Sequence, residues 1–179
     1  AEFLYLRLLD RRHRVLRKRG TIEWEDESSW RPAGFLDAMT IYDLLCCAKD
    51  GAALSGRYAQ AEHLPGTMHG ANPAKGAFDD FAARCDEDPE KLKKACLALG
   101  GVELPMGELS FQVPLFDFLT VMVQFWSSDD EFPAVFKLMW DENVLQFLRF
   151  ETVCYAARFL VNRLQALMGL TVEEAEGHM

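Results

Sequence analysis

Trp126-Ser127-Ser128-Asp129-Asp130-Glu131-Phe132-Pro133 lies between two apolar runs, and its reading decides the fold. The run before it, 116–126, is rich in aromatic and β-branched residues; the run after it, 134–140, ends on Trp140 and leads into Asp141-Glu142-Asn143. Such residues suit a pleated, half-buried surface, whereas three consecutive acids interrupt one. The pattern predicts a long β-hairpin over 116–140, with Asp141 as the N-cap of a short helix over 142–148. Pro133 cannot donate to a strand ladder, so Phe132 is expected to enter the second strand at its first residue or edge and plug the core there. Trp126 is expected to stay exposed.

Upstream, 3–9, 13–18 and 21–25 read as a three-stranded meander, turning at Asp10-Arg11-Arg12 and at Arg19-Gly20. Ile22 and Trp24 share one face, Glu23 and Glu25 the other, because side chains alternate along a strand. Arginines of the middle strand then lie beside the two glutamates, and such cross-strand pairs contribute roughly 0.2–1 kcal/mol each. The segment 28–34, with Trp30, Pro32 and Gly34, reads as a connector.

A helix is expected from Asp37 as N-cap, with Ile41, Leu44, Leu45 and Ala48 as its apolar stripe. At least one of Cys46 and Cys47 should be buried at that stripe's edge. A short strand over 57–63 ends at Leu64-Pro65-Gly66, and Asn72-Pro73 opens a helix burying Phe78, Phe81, Ala82 and Cys85. Asp88-Pro89-Glu90 starts another, with Leu92, Ala95, Cys96 and Leu99 inward and Gly100-Gly101 as its stop. The stretch 113–126 reads as one core strand, and the last helix runs over 152–168 before a polar tail. The sum is one α+β domain over 1–179: an antiparallel sheet of about five or six strands packed against four or five helices.

Charge is uneven. Residues 1–19 hold seven Arg or Lys against two acids, a balance of +5, while the other 160 hold 12 against 26, a balance of −14. That disfavours general nucleic-acid binding, which needs a broad positive footprint, and permits contact with an acidic partner. No apolar run is long enough to span a bilayer. The five cysteines, Cys46, Cys47, Cys85, Cys96 and Cys154, contain no C-x-x-C pair, so they read as reduced core thiols in a reducing compartment. Residue 1 is not Met, which leaves open an upstream segment of the gene product.

Candidate chemistry is sparse. Asp129, Asp130, Glu131 and Asp141 are the densest carboxylates and the candidate ligands for a Mg²⁺ or Ca²⁺ ion. A solvated turn and a helix cap account for them more simply. His63 and His69 flank Leu64-Pro65-Gly66, while His13 lies on a charged strand and His178 in the tail; two loop histidines without a third ligand do not make a metal site. No nucleophile elbow, Walker-type phosphate loop or dinucleotide fingerprint occurs, and no cofactor is called for. Trp126, Trp30 and His63 are the candidate partner contacts, since large rings with a polar handle make good anchors.

The motif Trp126-x-x-Asp129-Asp130-Glu131-Phe132-Pro133, followed by Leu138-Met139-Trp140-Asp141 and Leu148, resembles the prokaryotic domain-of-unknown-function family 3786. Tyr42-Asp43-Leu44-Leu45 and Leu64-Pro65-Gly66 support it. The resemblance implies that some relatives are joined to a cysteine-rich iron–sulfur segment; residues 1–179 carry no such cysteines. The chain also has Ala134 where a second proline is expected and His63 where an acid is commoner. The resemblance implies an accessory role near metallo- or corrinoid-dependent metabolism in the cytoplasm of anaerobes and offers no catalytic residues. The functional expectation is a non-catalytic interaction or cofactor-handling domain with a protein partner. The alternative is a metal-dependent hydrolase or other small-molecule enzyme using the acidic hairpin.

Overall fold

Two antiparallel sheets and four α-helices make up the α+β architecture in this computed structural model, which describes residues 2–67 and 78–170. The first sheet is a four-stranded meander of β1 (Phe3–Leu8), β2 (Arg11–Leu16), β3 (Ile22–Asp26) and β4 (Ser29–Pro32). Its pairing sets Tyr5 opposite Arg14, Arg14 opposite Glu23, and Glu25 opposite Trp30. These residues therefore share one face; Leu8, His13, Val15 and Ile22 share the other and are buried. β4 stands where the sequence pattern predicts a connector. The turn that creates it is Glu27-Ser28, with Glu27 at φ 52°, and it carries none of the Gly or Asn that advertise a tight hairpin. Pro32 is tolerated because β4 is an edge strand.

Helix α1 (Phe35–Cys47) sits under this sheet. Its N-cap is Gly34, without a side-chain cap, so Asp37 lies inside the first turn instead of capping it. Asp37 and Asp43 are buried on α1 beside Thr40 and Ile41, whereas Leu45, Ala48, Cys46 and Cys47 are all exposed. Of the expected apolar stripe, Ile41 and the half-buried Leu44 pack on the core; Leu45, Ala48 and both vicinal cysteines do not, and acids anchor the rest of the face. Asp37 meets His13 Nε2 at 3.3 Å across the sheet–helix boundary, and the Tyr42 hydroxyl donates to the Gly20 carbonyl.

The second sheet has the order β5-β9-β8-β7-β6, from β5 (Tyr58–Ala59), β9 (Val135–Asp141), β8 (Thr120–Trp126), β7 (Leu109–Pro114) and β6 (Val102–Glu103). The stretch expected as one strand over 113–126 is a hairpin. Its turn, 115–119, is closed by Leu115 N–H to Leu119 O at 2.9 Å and is apolar because Leu115, Phe116 and Leu119 are core residues. The same turn joins the sheets, as Leu9 N–H donates to Leu115 O at 2.8 Å. Phe111, Val123, Phe125, Leu138 and Trp140 point into the core, toward α2 (Asp79–Glu87), α3 (Pro89–Ala98) and α4 (Phe150–Leu167).

Helix α3 follows its sequence signals closely. Asp88 caps it by accepting from Lys91 N–H, Pro89 opens it, and Leu92, Ala95 and Cys96 are buried. It ends as Gly100 turns to φ 79° and Gly101 N–H reaches back to Cys96 O at 2.9 Å. Helix α2 begins at Asp79, and α4, close to its expected range, buries Val153, Ala156, Leu160 and Leu164, with Leu167 exposed. The expected helix start at Asn72-Pro73, the tail, His69 and His178 lie outside the described residues.

Candidate functional site

The acids singled out in the sequence do not converge. Asp129 and Asp141 stand at opposite ends of β9, a strand of seven residues. Asp129 Oδ1 is occupied in the turn itself, accepting from Glu131 N–H and Phe132 N–H at 2.8 Å each. Asp130 and Glu131 are exposed. Asp141 ends β9 with only 1% of its surface exposed and does not cap a helix; the following 3-10 turn starts after Asn143. Its carboxylate accepts from Ser55 N–H, Ser55 Oγ, Asn143 N–H and Gly56 N–H at 2.7–3.1 Å. Burial alone raises its pKa, but these hydrogen bonds outweigh it and hold the carboxyl below the usual range. A carboxylate wrapped in three N–H donors and a hydroxyl is accounted for as the anchor of a loop. Among the described residues no group of three or more His, Cys, Asp or Glu is arranged to hold a metal ion.

Asp43 is a second buried anchor of the same kind, joining α1 to the start of α4. It accepts from Arg149 N–H and Arg149 Nε, both at 2.6 Å. Burial pushes its carboxyl up, and hydrogen bonds from Arg149, Cys47 and Thr152 more than reverse that. The partnership with Asp43 raises the pKa of Cys47, the opposite of nucleophile activation. Burial pushes the Cys85 and Cys96 thiols up to about 12, so they too are inert core groups.

Both aromatics of the hairpin depart from their expected places. Phe132 is 65% exposed and lies in the turn before β9, not in the strand. Trp126 is half-buried: Lys137 Nζ stands 5.4 Å from its ring, and a side chain at Gly107 would meet its indole at 3.3 Å. Phe132 has no core to enter because the ladder begins only at Val135. His63 is exposed in a 3-10 turn, Ala61–His63.

Of the three residues expected as partner contacts, Trp30 is the one that lands in a constellation. It lies on the solvent side of the first sheet, where its ring reaches Tyr5 at 6.0 Å and Tyr5 reaches Phe3 at 6.2 Å. Two guanidiniums lie over these rings. Arg14 is 4.3 Å from Trp30 and 4.6 Å from Phe3; Arg12 is 4.7 Å from Tyr5 and 5.9 Å from Trp30. Arg14 also pairs with Glu23 at 2.6 Å and Arg12 with Glu25 at 3.4 Å. The glutamates orient the guanidiniums, and the rings gain a cation over their negative faces. Tyr5 remains 49% exposed among the described residues. The adjoining β2–β3 turn carries Arg17, Lys18 and Arg19, all exposed and with no side-chain partner among the described residues.

The middle-strand arginines beside Glu23 and Glu25 are legible in the sequence, whereas Phe3 and Tyr5 are not marked as solvent-facing because Phe3-Leu4-Tyr5-Leu6 is apolar on both faces of β1. The completion of the face by Trp30 is not legible either, because β4 carries no strand signal.

A family model described as Domain of unknown function (DUF3786) matches residues 1–163, a span covering both sheets and most of α4. No curated protein and no solved structure matches the chain.

Proposed function

The chain belongs to this DUF3786 family, and we propose that it is a non-catalytic interaction module that binds an acidic protein surface through the outer face of its first sheet. The observation that carries the reading is the Phe3–Tyr5–Trp30 ring cluster, laced by Arg12 and Arg14 and bordered by the cations of 17–19, which have no partner among the described residues. Exposed aromatic and arginine side chains in one patch are the composition of interface hot spots. The basic turn steers an acidic partner onto the rings over about 8 Å at physiological salt.

A protein is favoured over a single-stranded nucleic acid on this face. The body of the chain is acidic and repels a polyanion longer than the patch. An accessory place in anaerobic metallo- or corrinoid-dependent metabolism, in a reducing cytoplasm, is part of the proposal. It is supported by the family resemblance of the 126–133 motif and by cysteines that are free among the described residues.

The test is fluorescence anisotropy with a labelled synthetic peptide of alternating acidic and aromatic residues, titrated with the full chain. Binding that weakens at least tenfold with Arg17→Glu plus Lys18→Glu, and with Tyr5→Ala, supports the reading. Equal binding by those variants, or preferential binding of a single-stranded oligonucleotide, overturns it.

A further inference from the structure

An occupant matched to the aromatic–arginine face must present carboxylates beside an apolar ring, and the chain displays such an element itself. The β8–β9 turn exposes Asp130 and Glu131, whose side chains have no partner among the described residues, next to a 65% exposed Phe132. The turn is held in shape. Asp129 Oδ1 accepts from the N–H groups of Glu131 and Phe132, while Ser128 is tied to Asp86 and Ser127 to Glu108. A pre-ordered loop loses little further entropy on binding. A Phe left in water beside two unpaired acids, with its backbone fixed, gains nothing from its own fold.

We infer that the hairpin tip of one copy docks on the outer face of the first sheet of another, with Phe132 against the Tyr5 and Trp30 rings and Asp130 and Glu131 against Arg17, Lys18 and Arg19. This rests on the interaction face proposed above and names its partner as a second copy of this chain. Charge complementarity carries the choice: Arg17, Lys18 and Arg19 border the face with no side-chain partner among the described residues, while the charged side chains of the tip, Asp129, Asp130 and Glu131, are all acidic. The contact is assigned between copies because the tip is remote from its own first sheet along β8. The turn 115–119 at one end of that strand holds the first sheet, through Leu9 N–H to Leu115 O at 2.8 Å and Arg7 to Asp117 at 3.0 Å. The tip leaves the other end, seven strand residues away, which is about 23 Å. Two different surfaces meet, so the association is head-to-tail. A short loop on a small patch buries well under the ~1,200 Å² of a standard interface, so the association is weak, salt-sensitive and concentration-dependent.

Sedimentation equilibrium on the full chain, from micromolar to about millimolar, tests this with two variants. The tip variant is Asp130→Lys, Glu131→Lys, Phe132→Ala; the face variant is Tyr5→Ala, Arg17→Glu, Lys18→Glu. All substituted side chains are exposed, and circular dichroism checks that both variants fold. The expected result is a wild-type mass that rises with concentration and falls with added salt. Each variant alone should associate at least tenfold more weakly, and an equimolar mixture should form a dimer and stop there, because only one tip and one face remain competent. A wild type that stays monomeric throughout, a variant that associates like wild type, or a mixture that stays monomeric overturns the inference. The anisotropy titration separates the two failures. If the peptide still binds the face of a monomeric wild type, the homotypic contact is wrong and the interaction face stands; if nothing binds the face, both are wrong.

Discussion

Tyr5 and Trp30, from the two opposite edge strands of the first sheet, meet with ring centroids 6.0 Å apart above the two strands between them. The contact fixes the shape of the outer face. The guanidiniums of Arg12 and Arg14 stand over these two rings, 4.3–5.9 Å from their centroids. Interlocked rings and cations on a solvent-facing sheet make a stiff patch, and stiffness lowers the entropic cost of binding.

The exposure of Phe132 sets the first prediction. Phe132→Ala should change unfolding free energy by less than about 0.5 kcal/mol, as other surface substitutions do. Phe125→Ala, at a residue of the second sheet with no exposed surface, should cost about 3–5 kcal/mol. Urea denaturation of the two variants side by side gives the comparison.

Thiol chemistry should divide the cysteines in two. Cys85 and Cys96 are buried with thiols pushed up to about 12, so they should resist alkylation at neutral pH until the protein unfolds. Cys46 is exposed at the end of α1 and should label first. Cys47, whose pKa its bond to Asp43 raises, should follow more slowly. Mass spectrometry of a timed iodoacetamide reaction resolves the order, and early modification of Cys96 would contradict the packing of α3.

Much of this architecture is readable in the sequence because local signals and tertiary demands agree. Around α3, Asp88-Pro89 and Gly100-Gly101 mark both ends, and the buried residues fall on the helical period. Legibility fails where a turn is built from residues that do not advertise turns: Glu27-Ser28 at β3–β4, and the apolar 115–119 at β7–β8. Without a signal for β4, the face to which Trp30 belongs stays hidden. Phe132 misleads for another reason. Apolar character predicts burial on average, and an exposed aromatic is informative because it breaks that rule. The buried carboxylates are illegible as well, since only the fold brings Asp141 to the Ser55-Gly56 backbone.

Acid sensitivity should trace to those carboxylates. Asp141 has a folded-state pKa below its unfolded value, so its stabilisation is complete above the usual carboxylate range and is lost as pH falls through the lower, folded-state value. Asp141→Asn should cost roughly 2 kcal/mol or more at neutral pH, because donors arranged around a carboxylate lose charge-assisted bonds. The gap between wild type and variant should be flat above about pH 5 and narrow below about pH 4. Thermal melts from about pH 2.5 to about pH 7 measure it, a span set by those ordinary carboxylate limits.

Gly101 supplies a test of the α3 stop that involves no function. A Cβ there would lie 2.7 Å from the Cys96 carbonyl oxygen, a backbone atom that cannot step aside. Gly101→Ala should therefore destabilise by about 1–3 kcal/mol, as overpacking does. Gly51→Ala, where a Cβ meets nothing within 4 Å but φ is 74°, should cost about 1 kcal/mol through backbone strain alone. Chemical denaturation of both separates crowding from conformation.

The central claim, that the outer face of the first sheet is the interaction surface, is tested most directly by an amide-resolved NMR titration of the ¹⁵N-labelled chain with the acidic–aromatic peptide. Shifts should be confined to β1, β2, β4 and residues 17–20, with the Trp30 indole N–H among the most affected, and the affinity should fall as salt rises. Shifts centred on the second sheet, or none in the first, would contradict it.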